Sequence, residues 1–282
     1  MLRSFVRKMH VKPIKMRWGT GDNYSYLLTS QDRTHSWIID PAEAAEVLPE
    51  LDSFEKKSIA VIANTHHHYD HSDGNLPMLT ELKKSGNDHN IKVVGGSKLS
   101  PGVTDIPEHL HKYQLGDIEI LCIRTPCHTQ DSVCYFARDT TTNEQCVFTG
   151  DTLFTAGCGR FFEGNGKEMD AALNDRLLQC IGEPYWGTTK VYPGHEYTAS
   201  NVKFVRKAIY NSPGQNSALD RLERFCKTHA VTTGEFTLHD EVQFNPFMRL
   251  DDPAVREAVG DPTGTLSGAE VMTKLRQMKN SM

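Results

Sequence analysis

The segment Asn64–Asn75 reads N-T-H-H-H-Y-D-H-S-D-G-N and follows directly on the apolar run Ile59–Ala63. A short continuous apolar run reads as a strand covered on both faces. Loops at the ends of such strands carry sites in α/β folds. The chain must therefore fold so that four close-set donors, His66, His68, Asp70 and His71, gather at one end of a sheet. In an extended segment, residues two apart project to the same side, so His66 and His68 point together at one metal. Asp70 and His71 lie just beyond and turn towards a second. Imidazole nitrogen and carboxylate oxygen suit zinc or iron, and a set without sulfur argues against a closed structural zinc site. His67 lies inside the run but off the pattern, and reads as a packing or supporting residue.

Three single donors occur in similar settings. His128 stands in T-P-C-H-T after the expected strand Glu119–Thr125. Asp151 stands in T-G-D-T after the strand Gln145–Phe148, and His195 in P-G-H-E-Y after Lys190–Tyr192. Each follows a strand and a Pro or Gly turn. The chain has seven cysteines and no CxxC. In a chain of this length they read as reduced, mostly buried thiols.

Strands are also expected at Asn23–Leu28, Ser36–Ile39, Ile91–Gly95 and Ser132–Phe136, with helices at Ala42–Glu50, Asn75–Ser85 and Glu168–Gly182. The last rests on the spacing of Met169, Ala172, Leu173, Leu177 and Ile181. Beyond about Glu196 the strand signals thin out, and Asn201–Tyr210, Ser217–Thr228 and Ser267–Asn280 read as helices. A mixed α/β domain over 11–195 is therefore expected to precede a mainly helical domain over 196–282. The 282 residues fit roughly one to two domains. With 38% hydrophobic and 24% charged residues, the disordered and collagenous classes are excluded. No apolar run is long enough to span a membrane. The net charge of −5 lacks the basic stripe of a nucleic-acid binder, and the C-terminal part balances 11 basic against 11 acidic residues. Met1–His10 is basic, with Leu2, Phe5, Val6 and Met9 at helical spacing. It resembles a short mitochondrial transit segment, which implies the matrix, with a cytoplasmic form if translation starts at Met9.

Taken in order, the seven donors resemble the metallo-β-lactamase superfamily. The resemblance implies an α/β fold, the αββα sandwich, followed here by the helical domain. It implies that His66, His68 and His128 hold one metal, that Asp70, His71 and His195 hold a second, and that Asp151 and a hydroxide bridge them. Two divalent ions, zinc foremost with iron or manganese as alternatives, would lower the pKa of the shared water and make it the nucleophile. Cys127 and Cys158 match no ligand position and read as packing residues.

The match narrows at G-D-T-L-F-T-A-G-C-G-R-F-F-E-G (Gly150–Gly164), P-G-H-E-Y-T (Pro193–Thr198) and F-N-P-F-M-R (Phe244–Arg249). From about Met16 to the C-terminus the chain resembles the glyoxalase II (hydroxyacylglutathione hydrolase) family, most of all its fungal mitochondrial members. That resemblance implies hydrolysis of S-D-lactoylglutathione to D-lactate and glutathione by a monomer whose partner is the small thioester alone. It places Arg160, Tyr197, Arg276 and Lys279 at the glutathione. Phe162 stands where some members have tyrosine, so a hydrogen bond is replaced by apolar contact. The alternatives are a persulfide dioxygenase of the same superfamily, a nuclease relative, and a non-catalytic metal-binding relative. The terminal helical domain and the R-x-x-K pair argue against the dioxygenase. The charge argues against the nuclease.

Overall fold

The computed structural model describes residues 9–16 and 22–282. Residues 1–8 of the expected targeting segment lie outside them. In chain order the elements are β1 (His10–Lys15), β2 (Tyr24–Thr29), β3 (Ser36–Ile39), α1 (Ala44–Val47), α2 (Ser53–Ser58), β4 (Ile59–Ala63), α3 (Tyr69–Ser72), α4 (Asn75–Lys84) and β5 (Lys92–Val94). Then come β6 (Lys112–Leu115), β7 (Ile118–Arg124), β8 (Val133–Asp139), β9 (Gln145–Gly150), β10 (Leu153–Phe154) and β11 (Gly157–Cys158). The remainder is α5 (Gly166–Asp170), α6 (Leu178–Ile181), α7 (Glu183–Trp186), β12 (Thr189–Pro193), α8 (Thr198–Ala208), α9 (Ser217–Cys226), α10 (Leu238–Phe244), α11 (Pro253–Ala258) and α12 (Gly268–Asn280). One sheet has the order β1-β2-β3-β4-β5, another β12-β9-β8-β7-β6, and β10 and β11 form a two-stranded hairpin. Contacts divide the chain into two compact units, Met1–Ile123 with Tyr135–Cys146, and Arg124–Cys134 with Val147–Met282.

In the first unit β1, β2 and β3 run antiparallel, and β3, β4 and β5 parallel. Ile14, Leu27, Ile38, Ile62 and Val93 from these strands bury against Val47, Met78 and Leu82. Each such side chain contributes about 1.5–3 kcal/mol when removed from water. Asp52 and Glu55 form a capping box that starts α2 just before β4. At the far end of β4, Asn64 and Asn75 exchange side-chain hydrogen bonds of 3.2 and 2.6 Å, and Asn64 also donates to the His71 carbonyl. The donor loop is thus stitched to the start of α4. Gly74 has no room for a side chain: a Cβ would lie 1.8 Å from the Pro41 carbonyl oxygen.

In the second unit the helices bury Phe204, Leu219, Leu222, Leu238, Phe244 and Phe247. Ser267 and Glu270 cap α12, which buries Val271, Met272, Leu275 and Arg276. It lies close to α5, where a Cβ on Gly166 would sit 2.4 Å from the Ala269 carbonyl oxygen.

Most expected elements are present within a few residues. Glu168–Gly182 is not one α-helix, however. A π-helical stretch, Ala171–Leu177, separates α5 from α6. Apolar spacing marks a buried face and is blind to one extra residue per turn. Ala42–Glu50 likewise divides into α1 and a 3-10 turn, Leu48–Glu50, with Pro49 inside it. Strand β1 escapes sequence reading because Lys12, Pro13 and Lys15 mask it. It is an edge strand, where proline and lysine are tolerated. After Pro193 the described residues hold helices and loops, with β-bridge residues at His195 and at Thr237, the latter paired with Lys190.

Candidate active site

In the first unit the donors follow β4 directly. Residues 64–68 are not an extended strand; they bend, and His68 caps the short helix α3. The two histidines converge all the same, with His66 Nε2 3.1 Å from His68 Nδ1. α3 then turns the chain so that the His66 and His71 rings lie 4.2 Å apart, centre to centre. His66 and His71 are buried, and Asp70 is half-buried. The carbonyl of Asp70 accepts from Asn23 Nδ2 at 2.9 Å, which fixes its backbone.

Asp40, at the end of β3, supports this loop. Its Oδ2 lies 2.9 Å from His71 Nδ1, and its two oxygens accept from the Thr65 amide and hydroxyl at 2.7 and 2.6 Å. A carboxylate on Nδ1 favours the proton there, which leaves Nε2 as the nitrogen that could hold a metal. Sequence reading missed Asp40. The available signal was an acid at a strand end, followed by proline.

In the second unit Asp151 lies between two imidazoles. His128 Nε2 is 3.5 Å from Asp151 Oδ2, and His195 Nε2 is 3.5 Å from Asp151 Oδ1. One oxygen facing each ring suits a carboxylate that bridges two cations. His128 Nδ1 is held by the Arg160 carbonyl at 2.9 Å, so here too Nε2 is the nitrogen that could hold a metal. This support needs Gly159, where a Cβ would stand 2.0 Å from the Asp151 carbonyl oxygen and 2.9 Å from His128 Nδ1. His195 stacks on Tyr197, with ring centres 4.7 Å apart and planes 3° from parallel, and Phe154 meets both edge-on. Burial pushes the Cys127 and Cys158 thiols up to about 12, so both stay neutral, as packing residues should. In both units the donor chemistry, and the pinning of an imidazole through Nδ1, fit divalent metal ions.

The comparisons with known proteins follow the same line. A family model described as "Hydroxyacylglutathione hydrolase C-terminus" matches residues 196–282. The mitochondrial hydroxyacylglutathione hydrolase of Saccharomyces cerevisiae is 59% identical over 278 residues, 98% of each chain. The cytoplasmic isozyme of that yeast is 60% identical over 97% of this chain and all of its own. The chain belongs to the hydroxyacylglutathione hydrolase family. A cytoplasmic hydroxyacylglutathione hydrolase of Arabidopsis thaliana shares 36% over 92% of this chain and 96% of its own. Among solved structures, ETHE1 from Myxococcus xanthus superposes with a TM-score of 0.60 at 20% identity, covering 97% of this chain and all of the other. A Staphylococcus aureus metallo-β-lactamase gives 0.58 at 20% identity, covering 96% of this chain and 72% of its own. These likenesses show the metallo-β-lactamase fold.

In this member of the hydroxyacylglutathione hydrolase family, all the residues expected at glutathione lie in the second unit. Arg160 is exposed and Tyr197 half-buried. Phe162 is 61% exposed, its ring 5.3 Å from that of His128. Arg276 is buried; it donates to the Cys158 carbonyl at 2.8 Å and lies over the Phe247 ring. Lys279 donates to the Ser200 carbonyl at 3.1 Å and lies over Phe204. Burial lowers the pKa of Arg276 from its ordinary value, and the charge of Arg160 acts in the same direction. Burial, then repulsion from Arg276, brings Lys279 down to about 8. Cations that repel one another in a partly buried setting favour an anionic ligand.

Proposed function

We infer that the chain hydrolyses S-2-hydroxyacylglutathione thioesters, with S-D-lactoylglutathione as substrate and D-lactate and glutathione as products. The observation that carries this reading is near-full-length identity of 59–60% to two yeast hydroxyacylglutathione hydrolases. ETHE1, at 20% identity, shares the fold alone and does not outweigh this reading.

The reading assigns His66, His68 and His128 to one divalent ion and Asp70, His71 and His195 to another, with Asp151 common to both. Zinc is the metal proposed. When bound, the ions supply an acidified water and Lewis-acid polarisation of the thioester carbonyl. The chain supplies the rest. Asp40 and the Arg160 carbonyl hold protons on His71 Nδ1 and His128 Nδ1, fixing both rings. Asp70 and Asp151 neutralise cationic charge. Arg160, Arg276, Lys279 and the Tyr197 hydroxyl receive the glutathione, whose two carboxylates suit several cations. Phe162 offers an apolar wall beside His128. Holding glutathione fixes the carbonyl in place and removes orientational freedom before reaction. The glutathione thiolate is a good leaving group, so no strong general acid is required.

On this reading residues 196–282 form the substrate-binding domain, following a metal-binding domain over 11–195, and the enzyme acts as a monomer. Met1–His10 serves as a mitochondrial targeting segment. The relatives include both mitochondrial and cytoplasmic enzymes, so a reporter fused behind residues 1–10 tests that point. The central test is turnover of S-D-lactoylglutathione by purified protein with its metals quantified. Hydrolysis at about 10 s⁻¹, the median for enzymes, is expected. A metal-replete protein without thioesterase activity would sink the reading.

A further inference from the structure

The turn between β10 and β11 is held almost entirely by side chains from the helices of its own unit. Leu153 pairs with Cys158 and Phe154 with Gly157, leaving Thr155 and Ala156 at the tip. Ala156 has φ 58°, a left-handed conformation that costs a residue with a Cβ about 1 kcal/mol. Something must hold it there. The Ala156 amide donates to Glu241 Oε2 at 3.0 Å. Asn245 Nδ2 donates to that same oxygen at 2.9 Å, to the Gly157 carbonyl at 3.1 Å and to the Phe154 carbonyl at 3.4 Å. Asn201 Nδ2 donates to the Thr155 carbonyl at 3.0 Å. The backbone groups of four consecutive residues thus find side-chain partners on α8, on α10 and at the residue closing α10.

Glu241 and Asn245 are both fully buried. A buried carboxyl is costly, and burial pushes Glu241 up to about 8. Its Oε1 has no hydrogen-bond partner among the described residues. A helix packing on a hairpin by apolar contact alone would avoid that cost, so the oxygen that is used needs a reason.

The reason lies at the base of the hairpin. Asp151 precedes β10 by two residues. Cys158, the last residue of β11, accepts from Arg276. Gly159 then lies against the Asp151 carbonyl and the His128 ring, and the Arg160 carbonyl holds His128 Nδ1. Phe154, within the hairpin, touches His195 and Tyr197. A small rotation of this hairpin would move Asp151, Arg160 and the backing of His128 together.

We propose that Glu241 and Asn245 are positioning residues that hold the β10–β11 turn and thereby set where Asp151 and Arg160 stand. The inference rests on the function argued above. It also explains the asparagine of the F-N-P-F-M-R segment, which anchors the donor hairpin.

The test compares Glu241→Gln with Glu241→Met in the full-length, zinc-loaded enzyme. Glutamine keeps an acceptor for the Ala156 amide, whereas methionine fills a similar volume without one. In Glu241→Met, kcat should fall and zinc should be lost faster to a chelator, each about tenfold, the usual effect of removing support behind a metal ligand. KM should rise only modestly, about threefold, because Arg160 shifts with the hairpin while Lys279, held on α12, does not. Glu241→Gln should match wild type in both readouts. Should Glu241→Met fail to fold, Asn201→Ala releases the opposite side of the same turn and is read by the same two measurements. Wild-type kcat and zinc retention in the acceptor-free variant would overturn the proposal, as would equal losses in Glu241→Gln and Glu241→Met. A wild-type enzyme with no thioesterase activity would instead sink the function, leaving zinc retention to judge the clamp.

Discussion

His71 Nδ1 lies 2.9 Å from Asp40 Oδ2, and both side chains are buried. Asp40 touches the proposed metals only through that ring. Asp40→Ala should lower metal affinity and kcat together by about 10–100-fold, the range for removing the partner of a ligating histidine. Metal analysis after dialysis, alongside turnover, reads both. Unchanged metal content would remove Asp40 from this role.

Gly159→Ala keeps every donor, yet its Cβ meets the Asp151 carbonyl oxygen at 2.0 Å. Backbone must give way there, and Asp151 and His128 are what lies next to it. Metal content is expected to drop as far as in Asp151→Ala, while the melting temperature falls by only a few degrees, about 1 kcal/mol for a chain this size. A variant with full metal content would show that the hairpin yields elsewhere.

Burial and the neighbouring Arg276 hold the Lys279 pKa at about 8 before substrate binds. Its ammonium is charged below that pH and lost above it, so KM should rise as pH passes from 7 to 9 with kcat little changed. Lys279→Ala should have a KM about tenfold higher at pH 7, equivalent to ~1.4 kcal/mol, and should lose this upward step. Arg276→Ala is a less clean probe, because it also frees the Cys158 carbonyl. A pH-independent wild-type KM would exclude Lys279 as a carboxylate partner.

Glu241 binds its proton more tightly when folded, at about 8 against an ordinary value of 4.5. Between those values the native state holds more protons than the unfolded chain, so this group's contribution to stability declines as pH rises from about 5 to 8. Glu241→Gln removes that slope. Urea melts at pH 5 and pH 8 should show the variant gaining on wild type at the higher pH, by on the order of a few kcal/mol. Parallel changes in both proteins would mean that Glu241 does not carry the slope.

The proposed donors stand out in the sequence because metal chemistry demands few residue types at short spacing. His66, His68, Asp70 and His71 declare themselves within six positions, and His128, Asp151 and His195 each follow a strand and a proline or glycine turn. Asp40 was hidden because it precedes His71 by 31 residues and a lone buried acid carries no pattern. The hairpin clamp was hidden for another reason. Its acceptors are main-chain carbonyls of Phe154, Thr155 and Gly157, which no side-chain pattern reports. The residues proposed to receive glutathione rest on family resemblance alone; by itself, Arg276 looks like any cation on a helix.

The hairpin tip, fastened by α8 and α10, limits how this enzyme can change. A region that grips the donor strands cannot be exchanged as a cassette for a new specificity without retuning the centre it grips. Divergence towards other thioesters is therefore expected to proceed through side chains proposed to line the ligand, such as Phe162, while the three anchoring residues stay as they are.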